Sequence, residues 1–168
     1  MCTKVCVACV ALLALGACGG SSIDFPIDGN KQLDELTDED ARAICREMRP
    51  MFNLLADLMC TSKGISKASS GEGSCEAVRD ECMKSDSMSA DIDCNTATVN
   101  ELGECEATIA EYEKCAKDTY SMLQSLTSKI HCGASPADLQ AQQTQYKLPA
   151  SCEALNARCP SIDMGIGS

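Results

Sequence analysis

The sequence predicts an all-α fold, a helical bundle stapled by disulfides, with one long central helix and several short ones. Three observations carry this. No stretch alternates apolar and polar residues over the length of a strand, and β-branched residues are few. Apolar residues instead recur at steps of three and four between Thr98 and Cys132. Ten widely spaced cysteines (Cys45, Cys60, Cys75, Cys82, Cys94, Cys105, Cys115, Cys132, Cys152 and Cys159) form an even set suited to five disulfides.

The central helix is expected from Thr98 to Cys132. Leu102, Cys105, Ile109, Tyr112, Ala116, Thr119, Leu123, Leu126 and Ile130 keep one face toward a partner. Thr98 with Glu101 has the form of a capping box, and Gly133 then Pro136 mark the end. At about 100° per residue, Cys105 and Cys132 face roughly opposite sides of such a helix, so each needs its own partner segment.

Residues 1–17 read as a signal peptide. Lys4 and the amino terminus give a short positive region, and Val5 to Leu15 is an apolar run of 11 residues. A bilayer span needs about 20. The run ends in Leu15-Gly16-Ala17-Cys18, which resembles the bacterial lipoprotein signal Leu-x-Ala/Gly-Cys. That resemblance implies cleavage before Cys18 and lipidation of its thiol, with Cys2, Cys6 and Cys9 lost with the peptide. Gly19 in the next position implies sorting to the outer membrane.

The mature chain, 18–168, keeps all 25 acidic residues and 13 of the 14 basic ones, a formal charge of −12. Such a surface disfavours nucleic acid and anionic headgroups as partners. Aromatic residues are 3% of the chain and Trp is absent, so the core is thin and crosslinks are expected to supplement it.

Residues 18–37 are expected to form the lipidated cysteine and a flexible polar tether, with one helical domain over 38–168. Thr37-Asp38-Glu39-Asp40 opens the first helix, whose stripe of Ile44, Met48, Met51, Phe52, Leu55, Leu58 and Met59 ends near Cys60. Pro50 should kink it or start a second helix. Thr61 to Gly73 reads as a mobile loop from its Gly and Ser content. Ser74 caps a short helix to about Lys84, and Ser85 to Asn95 is a polar connection. Ser135-Pro136 opens a polar helix to about Lys147, Ser151 caps a last one, and Met164 to Ser168 look frayed.

Ser74-Cys75-Glu76-Ala77-Val78 matches Ser151-Cys152-Glu153-Ala154-Leu155, and each first cysteine is followed seven later by another, Cys82 and Cys159. The match suggests an internal duplication. A smaller echo sets Ala97-Thr98-Val99 against Ala107-Thr108-Ile109. Residues seven apart on a helix are about 10 Å apart, so Cys75 cannot bond Cys82, nor Cys152 Cys159. About 945 pairings exist for ten cysteines; Cys60–Cys75 and Cys132–Cys152 are the expected loop closures. With its lipoprotein signal, thin Ala/Leu helices and the ending Pro149 to Pro160, the chain resembles cysteine-rich lipoproteins of bacteria.

Chemistry is sparse. In the mature chain the closest cysteine spacing is x6, so no Cys-x2-Cys pair offers a metal or redox site there. His131 stands beside Cys132, but a disulfide-bonded cysteine has no thiolate. Asp91-x-Asp93-x-Asn95 lacks the Gly and Glu of a calcium loop, and Asp24-x-Pro26-x-Asp28-Gly29 puts Pro at a ligand position. No catalytic residue, metal or cofactor is expected. The expected role is a lipid-anchored envelope protein, structural or interaction-based, with the membrane as partner through Cys18 and an envelope protein as a second partner. Its expected place is the outer membrane, facing the periplasm or the cell surface. The alternative is a binding module whose groove, lined by Met48, Met51, Phe52 and Leu123, holds a small apolar ligand or a metal; Met48, Met51, Met59, Met83 and Met122 all lie in expected helices.

Overall fold

Thr37 opens the longest helix, α1, Asp38–Ser69. Its hydroxyl accepts from the Asp40 amide, and the Asp40 carboxylate accepts from the Thr37 amide at 2.9 Å. Three acidic residues in the first turn meet the positive end of the helix dipole. The computed structural model describes residues 23–85, 93–99, 105–145 and 147–160. The signal peptide, Cys18, Glu101 and the expected frayed end from Met164 lie outside the described residues. Four further helices are described: α2 (Cys75–Lys84), α3 (Ile109–Lys129), α4 (Pro136–Gln145) and α5 (Ala150–Arg158). The fold is all-α.

α1 overturns two expectations. It runs through Pro50 with no new start there. Pro50 withholds an amide from the Arg46 carbonyl, but Arg46 is exposed, where water can replace that bond. The helix also continues through Thr61–Ser69, read above as a loop. Thr61, Gly64 and Ile65 are buried because α2 packs on them. A Cβ on Gly64 would lie 2.6 Å from the Cys75 carbonyl oxygen and 2.8 Å from its sulfur. The glycine is there for close approach, at a helix-propensity cost of about 1 kcal/mol. The true end is a Schellman turn: Glu72 N–H bonds the Lys67 carbonyl and Gly71 N–H that of Ala68. Gly71 takes φ +79, the left-handed conformation that glycine tolerates.

The central helix of the sequence reading is shorter than expected. α3 begins at Thr108, not Thr98; the Thr108 hydroxyl accepts from the Glu111 amide, and the Glu111 carboxylate accepts from the Thr108 amide at 2.8 Å. Both Thr-x-x-Glu sequences satisfy the local capping rule, and tertiary pairing selects the second. The Ile109 and Ala110 amides, orphan donors at a helix start, bond the Lys31 and Gly29 carbonyls at 2.9 Å each. From Ile109 on, the expected apolar period holds: Ile109, Ala116, Thr119 and Leu123 are buried in α3, and Ile130 follows as its C-cap.

The tether expected over 18–37 is corrected by the same contacts. Ile23 is 1% exposed and Phe25 6%, and Leu33 and Leu36 are buried. The segment runs antiparallel beside α3, with a bridge between Gln32 and Thr108, and a 3-10 turn at Leu33–Glu35 leads into α1. Pro, Gly and Asp give it a linker's composition, but its apolar side chains fill the gap at the start of α1 and α3. The folded domain includes the chain from Ile23 on.

α1 and α3 run in the same direction: Tyr112 Oη donates to Met48 Sδ at 3.5 Å near their starts, and Ile65 joins Ile130 near their ends. Ile44, Met48, Met51 and Leu55 turn toward α3. Asp57, Cys60, Thr61 and Gly64 lie on the opposite side of α1, against an antiparallel α2. α5 packs antiparallel on α3, where Ser151 Oγ donates to Asp118 at 2.6 Å and Arg158 pairs with Glu111. Ser151 lies inside α5, which starts after Pro149, so it is not the expected cap. Ser135 does cap α4, accepting from the Asp138 amide at 3.2 Å.

Candidate functional site

All ten cysteines are paired: Cys45–Cys94, Cys60–Cys82, Cys75–Cys132, Cys105–Cys159 and Cys115–Cys152. The expected closures Cys60–Cys75 and Cys132–Cys152 do not form. The antiparallel α2 carries Cys82 to Cys60 and leaves Cys75 at the Gly64 level, where Cys132 reaches it. α5 lies on the first half of α3, more than about 20 Å along the axis from Cys132. Cysteines seven apart are unbonded, as their helical spacing requires. Each half of the chain is a long helix followed by shorter ones, but matched cysteines have unmatched partners: Cys60 bonds within its half and its counterpart Cys132 bonds across.

Among the described residues, those weighed for catalysis and metal binding have structural roles; Asp91 lies outside the described residues. Cys132 is tied to Cys75, and His131 Nδ1 accepts from the Gly133 amide at 3.1 Å. Asp28 accepts from the Asn30 amide at 2.9 Å, and Asp93 from the Asn95 amide at 3.0 Å, both turn bonds. Among the described residues, no three His, Cys, Asp or Glu side chains gather to hold a metal ion. Met51 and Leu123 are buried core, with Met48 and Phe52 packed against them. Met122 lines an open groove of about 420 Å³ with Leu126, Ser121, Ser125, Asp118, Lys129, Gln142 and Lys147.

The most connected polar cluster joins the N-terminal segment to α3. Lys117 Nζ lies 2.7 Å from Asp24 and 2.6 Å from Glu113, and Glu113 accepts the Phe25 amide at 2.9 Å. Asp24 and then Glu113 raise the Lys117 pKa through these bonds. Beside Lys117 in sequence, Asp118 has its carboxyl lowered by Ser151 and then Lys114. Phe25 stacks on Tyr112 at 5.7 Å between centroids, and burial raises the Tyr112 phenol. Sequence reasoning missed this cluster; the i,i+4 pair Glu113 and Lys117 was its one visible sign. The cluster fastens Asp24 six residues after Cys18.

No helix among the described residues is long and apolar enough to cross a membrane. No protein-family model matches the chain, and no curated protein or solved structure matches it.

Proposed function

We propose that the protein is a lipid-anchored component of the bacterial envelope, held in the outer membrane by Cys18 and acting through interaction or structure, without catalysis. The observation that carries this reading is the sequence Leu15-Gly16-Ala17-Cys18 after an 11-residue apolar run. Two structural facts support it. The ten later cysteines satisfy one another, which leaves Cys18 no partner among them. Five disulfides also suit an oxidising compartment outside the cytoplasm. The alternative, capture of a small apolar ligand, has weaker support: Met48 and Met51 belong to the core, and the open groove carries Asp118 and two lysines.

Detergent phase separation of the native protein and Cys18→Ser tests the proposal. The native form should enter the detergent phase and the variant the aqueous phase. Equal partitioning into water overturns it.

A further inference from the structure

The start of the folded domain limits how far it stands from its anchor. Four residues, Gly19 to Ser22, separate Cys18 from buried Ile23. Five residue steps reach at most about 17 Å even fully extended. α1, with 32 residues, is about 48 Å long. The leash is therefore much shorter than the domain, and some face of the domain must lie near the headgroups.

Asp24 identifies that face. It is clamped to Lys117, on the side of α3 turned away from α1. The face carries Lys114, Lys117 and Lys129; Lys117 is balanced by Asp24 and Glu113, and Lys114 by Asp118, which Ser151 also engages. The exposed residues between them are Ser121, Gln124, Ser125 and Ser128. Three lysines against Asp24, Glu113 and Asp118 leave this face formally neutral in a mature chain of −12. Acidic residues are in excess elsewhere: Asp38 and Glu39 at the start of α1, and Glu76, Asp80 and Glu81 against Arg79 and Lys84 on α2. α2 lies across α1 from α3.

Leash and charge agree, and we infer that the outer face of α3, Lys114 to Lys129, rests on the phospholipid headgroups, with α2 facing away from the membrane. The inference rests on the reading that Cys18 is lipidated. Anionic headgroups repel the net-acidic α2 side more than the charge-balanced, serine-rich face of α3.

Lysine acylation read by mass spectrometry tests it, on the mature lipidated protein in vesicles of phosphatidylethanolamine and phosphatidylglycerol, with soluble Cys18→Ser as reference. Lys114 and Lys129 should react several-fold more slowly on vesicles, and Lys63 on α1 and Lys84 on α2 at unchanged rates. A ten-residue Gly-Ser insertion after Ser22 should restore part of the lost reactivity. Slowing at Lys84 in place of Lys114 and Lys129, or uniform rates in a protein whose Cys18 carries lipid, overturns the orientation alone. Absence of lipid on Cys18, read from the mass of the N-terminal peptide, overturns the anchor and the orientation with it.

Discussion

Asp24 and Lys117, separated by 93 residues, meet at 2.7 Å. This contact closes the N-terminal segment over the start of α3. The pair is exposed and contributes little energy by itself. The buried side chains beside it, Ile23 and Phe25, supply the attachment, and the ion pair selects its register.

That attachment is testable by truncation. A chain beginning at Thr37 loses Ile23, Phe25, Leu33 and Leu36, each worth about 1.5–3 kcal/mol when fully buried. It should melt far below a chain beginning at Ile23, if it folds cooperatively at all. Equal melting temperatures would mean that the segment is dispensable.

Gly64→Ala should destabilise the protein by about 1–3 kcal/mol, although alanine is the better helix former. The added methyl would meet the Cys75 carbonyl at 2.6 Å, and a backbone atom cannot rotate away. Thermal melts of the oxidised proteins read the difference. A variant as stable as the parent would place α2 farther from α1.

The Asp40 carboxyl is lowered from 3.8 to about 2, first by its bond to Lys31 and then by the Thr37 amide. A pKa depressed in the folded state contributes stability above the unfolded value, and this is lost as pH falls through the folded one. The loss should fall between about pH 4 and pH 2, and solvent screening holds it to about 1 kcal/mol. In Asp40→Asn, stability should fall less steeply across that window, as denaturant midpoints at each pH would show. An identical slope would mean that other carboxylates dominate.

Reduction should abolish the cooperative melt while the separated helices keep part of their far-UV circular dichroism. A native disulfide in a small exported domain contributes about 2–5 kcal/mol, against a total of about 5–15. Before reduction, thiol labelling of the denatured mature protein should find none of the ten cysteines free. A sharp melt that survives complete reduction would show that the apolar core suffices.

Local rules made some elements legible and left others hidden. The apolar period of α3 is readable from Ile109 because every third or fourth residue meets α1. Its start is not, since Thr98 and Thr108 cap equally well on paper and the carbonyls of Lys31 and Gly29 decide between them. Gly64 looks like a loop residue until α2 is set against it. Ile23, Phe25 and Leu33 show no period because an irregular strap has none. Helical spacing excluded Cys75–Cys82, but only the antiparallel register of α2 brings Cys82 to Cys60. For the candidate site the balance is reversed: the proposal for Cys18 rests on the sequence alone, and the Lys117 cluster emerges only from the packing of Asp24.

The disulfide wiring has a consequence for biogenesis. Along the chain, no cysteine bonds the next one: Cys60 passes over Cys75 to reach Cys82, and Cys115 passes over Cys132 to reach Cys152. A chain threaded across a membrane from its N-terminus offers Cys45 and Cys60 to an oxidant before their partners Cys94 and Cys82 emerge. Bonds made in order of emergence are therefore all wrong ones, and each must be undone by thiolate attack through a mixed disulfide. On the proposed export, maturation should depend on a catalyst that reshuffles bonds, and a cell with oxidising power but no such isomerase should accumulate the protein scrambled.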